Sequence, residues 1–111
     1  MKYKQGDIVF LPFPFTDLST AKQRPAVIVS QNGMNHPNYI VAKITTVLRA
    51  DDSSFAIQPD DTNVPLKYQS EVRTTDLATV HHTLIIRKIA AFKKHALIDL
   101  TNQIKQNLDV V

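Results

Sequence analysis

Residues 12–30 read PFPFTDLSTAKQRPAVIVS, and the strand at the end of this stretch decides how the rest of the chain is read. Ala26-Val27-Ile28-Val29 is a short apolar run with β-branched residues, bounded by a proline on one side and Ser30 on the other. A run without polar alternation predicts a strand buried on both faces. At its mouth stands Arg24, followed at once by Pro25. Proline confines the preceding residue to extended backbone, so the root of the arginine side chain is fixed where a polar loop enters a core strand.

Working outward, the same punctuation divides the chain into further strands. Ile8-Val9-Phe10-Leu11 follows Gly6-Asp7 and predicts a first strand. Pro12 and Pro14 lack the N–H a ladder needs, so pairing is expected to stop or to lie on an edge there. Thr16 to Gln23 is polar and predicts a loop, and Gln31 to Asn38 a turn. Tyr39 to Thr46 is the third strand, Ser54 to Gln58 a short fourth, Glu71 to Val80 a fifth and Leu84 to Ala90 a sixth. From Phe92 the period changes. Phe92, Ala96, Leu97, Leu100, Ile104 and Leu108 recur every three to four residues, which predicts an amphipathic helix with one stripe on the sheet. The expected architecture is mainly β: a small, SH3-like, strongly bent antiparallel sheet or partly open barrel with a C-terminal helix, forming one domain over residues 1–111.

Composition limits the function classes. Hydrophobic residues make up 43% and charged residues 21%, an ordinary globular balance. Cysteine is absent, which excludes disulfides and thiolate metal sites and fits a cytoplasmic setting. The N-terminus lacks the apolar core of a signal peptide, and no segment approaches the ~18 apolar residues of a membrane span. The net charge of +3 favours an anionic partner such as nucleic acid.

Two readings of Arg24 stand side by side. It caps the strand and pairs with a local carboxylate such as Asp17, or it presents a planar fork of donors to a phosphate, beside a loop that carries Lys22. Thr45 and Thr46 close the third strand. Alternation puts Lys43 and Thr45 on one face and Ile44 and Thr46 on the other. If the second and third strands are neighbours, a hydroxyl and a guanidinium meet at one end of the sheet.

Gly6-Asp7-Ile8-Val9, the Arg24-Pro25 step, the strand ending at Ser30, the Ile40-to-Thr46 strand, Ser70-Glu71-Val72-Arg73, and Leu84-Ile85-Ile86-Arg87-Lys88-Ile89 with the closing helix together resemble the MazF/PemK family of bacterial toxins. The resemblance runs in order along nearly the whole chain, and Pro-Phe-Pro-Phe-Thr-Asp is most similar to its PemK-like branch. It implies a homodimeric, metal-independent endoribonuclease with no cofactor, acting on single-stranded RNA and held in check by an antitoxin with an acidic, partly disordered segment. It also implies Arg24 and Thr45 as the catalytic pair, with Thr16, Lys22, Lys43, Thr46, Arg73 and Asp76 along the RNA. Some members pair an arginine with an aspartate on the fifth strand. Arg73 matches that arginine, while Thr75 falls where the aspartate would be and Asp76 one place later. Some members have a histidine in the first long loop, which this chain lacks there. Two alternatives remain open: a non-enzymatic inhibitor of DNA gyrase like the CcdB family, and a nuclease-like protein that has lost activity.

Other candidates are read more plainly. His81 and His82, as strand neighbours, are expected on opposite faces and unable to share an ion. His36 and His95 receive no role. Asp51-Asp52 and Asp60-Asp61 read as solvated turn residues before a two-metal centre. Arg87-Lys88 and Lys93-Lys94 read as solvated surface before an RNA track. Phe13 and Phe15 read as core or dimer packing before base stacking.

Overall fold

The computed structural model describes residues 2–12, 22–31 and 37–111. Among the described residues, six strands form one antiparallel sheet: β1 (Asp7–Pro12), β2 (Gln23–Ile28), β3 (Asn38–Thr45), β4 (Ser54–Ala56), β5 (Glu71–His81) and β6 (Arg87–Ala91), followed by one helix, α1 (Lys94–Asn107). Their order across the sheet is β4-β5-β3-β2-β1-β6. Among the described residues the sheet is not closed, since β4 and β6 are its edges. Beyond the ladder, Thr62 bridges Phe92, and the Asn63 amide donates to the Ala91 carbonyl. This connection ties the β4–β5 segment to the far edge and bends the sheet toward a barrel.

The apolar run of β2 lies near the centre of this order, and Ala26, Val27 and Ile28 are fully buried. Its two faces feed two cores. Val27 joins Ile8, Ala42, Ile44, Val72, Ala90 and the helix stripe Ala96, Leu100 and Ile104. Ala26 and Ile28 join Val9, Leu11, Tyr39, Val41, Val80 and Ile85 on the opposite face. Each large apolar side chain removed from water in this way contributes about 1.5–3 kcal/mol.

One close approach governs the N-terminal turn. Gly6 has φ of +92°, and a Cβ there would lie 3.1 Å from Leu97 Cδ2. Its amide donates to the Ile28 carbonyl, and its own carbonyl accepts from Phe92. Glycine is therefore favoured by the backbone conformation, and a Cβ there would also crowd the Leu97 side chain.

Several boundaries differ from the sequence reading. Pro12 remains paired, opposite Gln23, because its missing donor faces a ladder that ends there. β2 starts at Gln23, so Arg24 lies within the strand, opposite Leu11. Leu84 belongs to a 3-10 turn (His82–Leu84), and β6 starts later, at Arg87. Phe92 is buried against the core as a bridge residue before the helix rather than on it, and Leu108 is exposed beyond the helix end. His81 and His82 do not point apart. The 3-10 turn begins at His82 and breaks strand alternation, so the two rings stack with centroids 4.5 Å apart.

Candidate active site

The β2–β3 ladder pairs Ile28 with Val41, Val27 with Ala42 and Ala26 with Lys43. Two residues past Lys43 and Ala26, still within both strands, stand Thr45 and Arg24. Arg24 and Thr45 thus hold matching positions on adjacent strands. They share the face of Ala26, Ile28 and Val41, at the end where that core gives way to solvent. Arg24 is exposed and takes part in no ion pair among the described residues. Asp17, its proposed local partner, lies outside the described residues, as do Phe13, Phe15, Thr16 and His36.

Thr45 is half-buried, and its Oγ1 accepts a hydrogen bond from the Val47 amide at 3.1 Å. That bond fixes the oxygen and leaves the hydroxyl proton free to donate outward. Lys22 and Thr46 are exposed, and Lys43 is half-buried on the same face as Thr45. The expected condition for Arg24 and Thr45 to meet, that β2 and β3 are neighbours, holds, and Lys22 and Thr46 adjoin the same strand ends.

On its other side β3 pairs with β5, with Thr45 opposite Glu71 and Ile44 opposite Val72. The register then shifts, and Ala42 lies opposite Leu77. Residues 73–76 of β5 therefore bulge opposite Lys43 alone, and Asp76 sits half-buried in that irregularity. The bulge reverses the facing of β5: Val72 packs in the helix-side core, whereas Ala78 and Val80 pack in the other.

Arg73, expected at the RNA, has its guanidinium occupied. Nη1 lies 2.7 Å from Glu71 Oε2 and 2.9 Å from Asp51 Oδ1, and Nη2 donates to Asp51 Oδ2 at 3.1 Å. Its side chain is only 12% exposed. Glu71, which sequence reading left without a role, is buried, with a side-chain exposure of 3%. Its Oε1 accepts from the Arg49 and Ala50 amides, and its Oε2 from Ser54 Oγ as well as from Arg73. Burial pushes the Glu71 carboxyl up, but the donors from Ser54, Arg73, Arg49 and Ala50 outweigh it and hold the group down at about 2. Hydrogen bonding from Arg73 holds Asp51 at about 2 as well. A carboxylate this acidic, with both oxygens filled, is a poor proton acceptor. The only sequence signal for Glu71 was its place two residues before an arginine, on one face of a strand.

These shifts have a consequence for stability. Both carboxyls titrate lower when folded than their ordinary values of 4.5 and 3.8. The stability they contribute is complete above about pH 4.5 and is lost as pH falls toward 2. Asp51 is half exposed, so solvent screens its share and Glu71 dominates. Urea midpoints measured across this window are expected to fall with acid in the wild type and to fall less in Glu71→Gln.

Several of the other polar candidates are engaged. Asp60 pairs with Lys93 and Asp61 with His95. Lys88 pairs with the buried Asp7, and Arg87 lies 4.8 Å over the Phe10 ring. Arg87 and Lys88 are both exposed, as expected, and each also contacts β1. Among the described residues, no three His, Asp or Glu side chains group to hold a metal ion. No helix among them is long and apolar enough to cross a membrane.

Residues 4–108 match the family model of the PemK-like, MazF-like toxin of type II toxin-antitoxin systems. The chain belongs to the PemK/MazF toxin family. No curated protein sequence matches it. Its fold is shared with solved PemK/MazF structures at low identity. An endoribonuclease in complex with its cognate antitoxin from a mycobacterial species superposes with a TM-score of 0.76 at 16% identity, covering 96% of this chain and 94% of that one. The Mycobacterium tuberculosis toxin MazF-mt6 gives 0.74 at 20% identity, over 95% and 98%. A MazE-MazF structure from Deinococcus radiodurans gives 0.75 at 15% identity, over 97% of each chain. The bent sheet and closing helix are therefore the PemK/MazF fold, and the Arg24–Thr45 end of β2 and β3 is part of it.

Proposed function

We propose that this PemK/MazF toxin is an endoribonuclease that cuts single-stranded RNA without a metal ion. The observation that carries this reading is the juxtaposition of an exposed Arg24, without an ion pair among the described residues, with the Thr45 hydroxyl on adjacent strands. The substrate supplies the nucleophile. The ribose 2′-oxygen attacks the adjacent phosphorus, the bond from phosphorus to the 5′-oxygen breaks, and the products are a 2′,3′-cyclic phosphate and a 5′-hydroxyl. The net proton transfer is from the 2′-hydroxyl to the departing 5′-oxygen. Arg24 stabilises the charge that builds on the non-bridging phosphate oxygens. Thr45 donates to one of those oxygens and holds the in-line geometry. Lys22, Lys43 and Thr46 flank this point and would follow the RNA backbone, with Thr16 and Asp76 as further contacts. Incubation with a long RNA in EDTA, followed by mapping of the ends, tests the reading. Discrete cuts with cyclic-phosphate ends are expected. Intact RNA with folded protein would return the chain to the gyrase-inhibitor or inactive alternatives.

The active form in this reading is a cytoplasmic homodimer, blocked by the acidic, partly disordered segment of an antitoxin. Two of the structural neighbours are toxin–antitoxin complexes, and the net charge of +3 suits an acidic ligand. Exposed Ile40 and Leu108 border an apolar groove between β3 and the end of α1. Light scattering at micromolar concentration is expected to give the dimer mass; a monomer would contradict this arrangement.

A further inference from the structure

The two arginines of the site stand in opposite electrostatic situations. Arg24 has no ionic partner among the described residues, whereas Arg73 is held by two carboxylates. One guanidinium against Asp51 and Glu71 leaves that cluster with one excess negative charge. Those three side chains together offer a phosphate no net positive charge. Arg73 also directs both Nη atoms at its carboxylates, in a bidentate fork on Asp51, and little of it reaches solvent.

What the cluster does hold is the chain that leaves Thr45. Thr46 to Ala50 are exposed, and none lies in a strand. Ala50 has φ of +48°, in the left-handed region that disfavours a side chain by about 1–2 kcal/mol. Three ties keep this segment in place. The Val47 amide is bound to Thr45 Oγ1, the Arg49 and Ala50 amides to Glu71 Oε1, and the Asp51 carboxylate to Arg73. Glu71 is itself the cross-strand partner of Thr45. Ser54 on β4 donates to the second oxygen of Glu71 and so anchors it from the sheet edge. The loop therefore starts at Thr45 and is returned by the carboxylate that stands opposite Thr45.

We propose that Glu71, Arg73 and Asp51 form a clamp that positions the Thr45 hydroxyl, and that Arg73 serves RNA cleavage through this clamp and makes no contact with the RNA. Glu71 and Arg73 are positioning residues; Arg24 and Thr45 remain the groups that meet the phosphate. The inference rests on the ribonuclease reading for its consequence in turnover, while the clamp itself is a property of the free protein.

The test has an arm for each. In the free protein, amide hydrogen exchange at Val47, Arg49 and Ala50 is measured for wild type and Glu71→Gln. Glutamine keeps an acceptor for the two amides but sets its NH2 against the Arg73 donors. Exchange at all three amides is expected to rise at least about tenfold, with the Leu100 amide unchanged. Turnover is expected to drop about 10–100-fold, the scale of a small misplacement, with KM within about twofold. In a Thr45→Val background, Glu71→Gln should add less than about twofold, because both changes remove the same placement. For Arg73→Gln, binding of an uncleavable 2′-deoxy version of the substrate should keep the wild-type salt slope. A slope reduced by about 0.7 would show a phosphate contact and overturn the proposal. So would unchanged exchange, or losses from Glu71→Gln and Thr45→Val that multiply. If wild type does not cut RNA, the ribonuclease reading fails and the exchange arm still decides the clamp. If Glu71→Gln does not fold, Ser54→Ala removes one bond to the same carboxylate and takes its place in every arm.

Discussion

Replacing Arg24 by alanine is expected to lower RNA cleavage by about 10²–10³-fold, the usual loss for one electrostatic stabiliser, with the melting temperature almost unchanged. Both halves of this expectation come from the same geometry. The backbone of residue 24 is set by β2 pairing with β1 and by Pro25, so it survives loss of the side chain. The guanidinium is exposed and holds no ion pair among the described residues, so its removal leaves no buried charge unpaired among them. Lysine at this position is expected to recover only part of the rate, because a point charge replaces a planar fork. Thr45→Val keeps the β-branched shape of a strand residue and removes the donor, so it should reduce turnover with little effect on folding. Loss of folding in Arg24→Ala, with full activity per folded molecule, would make Arg24 a structural cap instead. Unchanged turnover in Thr45→Val would remove Thr45 from the site.

The contrast between Arg24 and Arg73 also shows how far the sequence could be read. Arg24 was legible because its constraint is local: a proline follows it, and an apolar run follows the proline. Thr45 was legible as the end of a strand with clear alternation. The strand order was not needed for either, only the neighbourhood of β2 and β3. Arg73 and Glu71 were different. As Ser70-Glu71-Val72-Arg73 they read as alternating polar positions on a half-exposed strand. Their burial depends on Ser54 from β4, 17 residues from Glu71 along the chain, and on the backbone of residues 49 and 50, 22 and 21 residues from it. No periodicity within β5 announces those partners. The bulge at residues 73–76 is equally non-local, since it appears only when β5 is laid against Lys43. The same logic explains Phe92. Its spacing from Ala96 fits a helix, but the Thr62 bridge and the amide bond to Gly6 claim it first.

Substituting 2′-deoxyribose at the nucleotide 5′ to the cut is expected to abolish cleavage there, while binding stays within a few-fold. The reaction needs the 2′-oxygen, the phosphorus and the 5′-oxygen nearly in line, and the first of these is part of the RNA. Neither described carboxylate cluster is arranged to replace it. Asp51 is committed to Arg73, and Asp60 and Asp61 to Lys93 and His95. Binding, in contrast, depends on Arg24, the flanking lysines and the phosphates, which the deoxy substitution leaves alone. A flexible single strand can rotate its ribose and phosphate into line beside Thr45, whereas an A-form duplex holds the 2′-oxygen away from that line; pairing the cut site with a complementary strand should therefore protect it. The measurement is end mapping on matched RNAs that differ only at one 2′ position, in EDTA and in Mg²⁺. Cutting of the deoxy substrate, or cutting that requires Mg²⁺, would overturn attack by the 2′-oxygen and point to hydrolysis by a water held at the Asp51-Asp52 or Asp60-Asp61 turns.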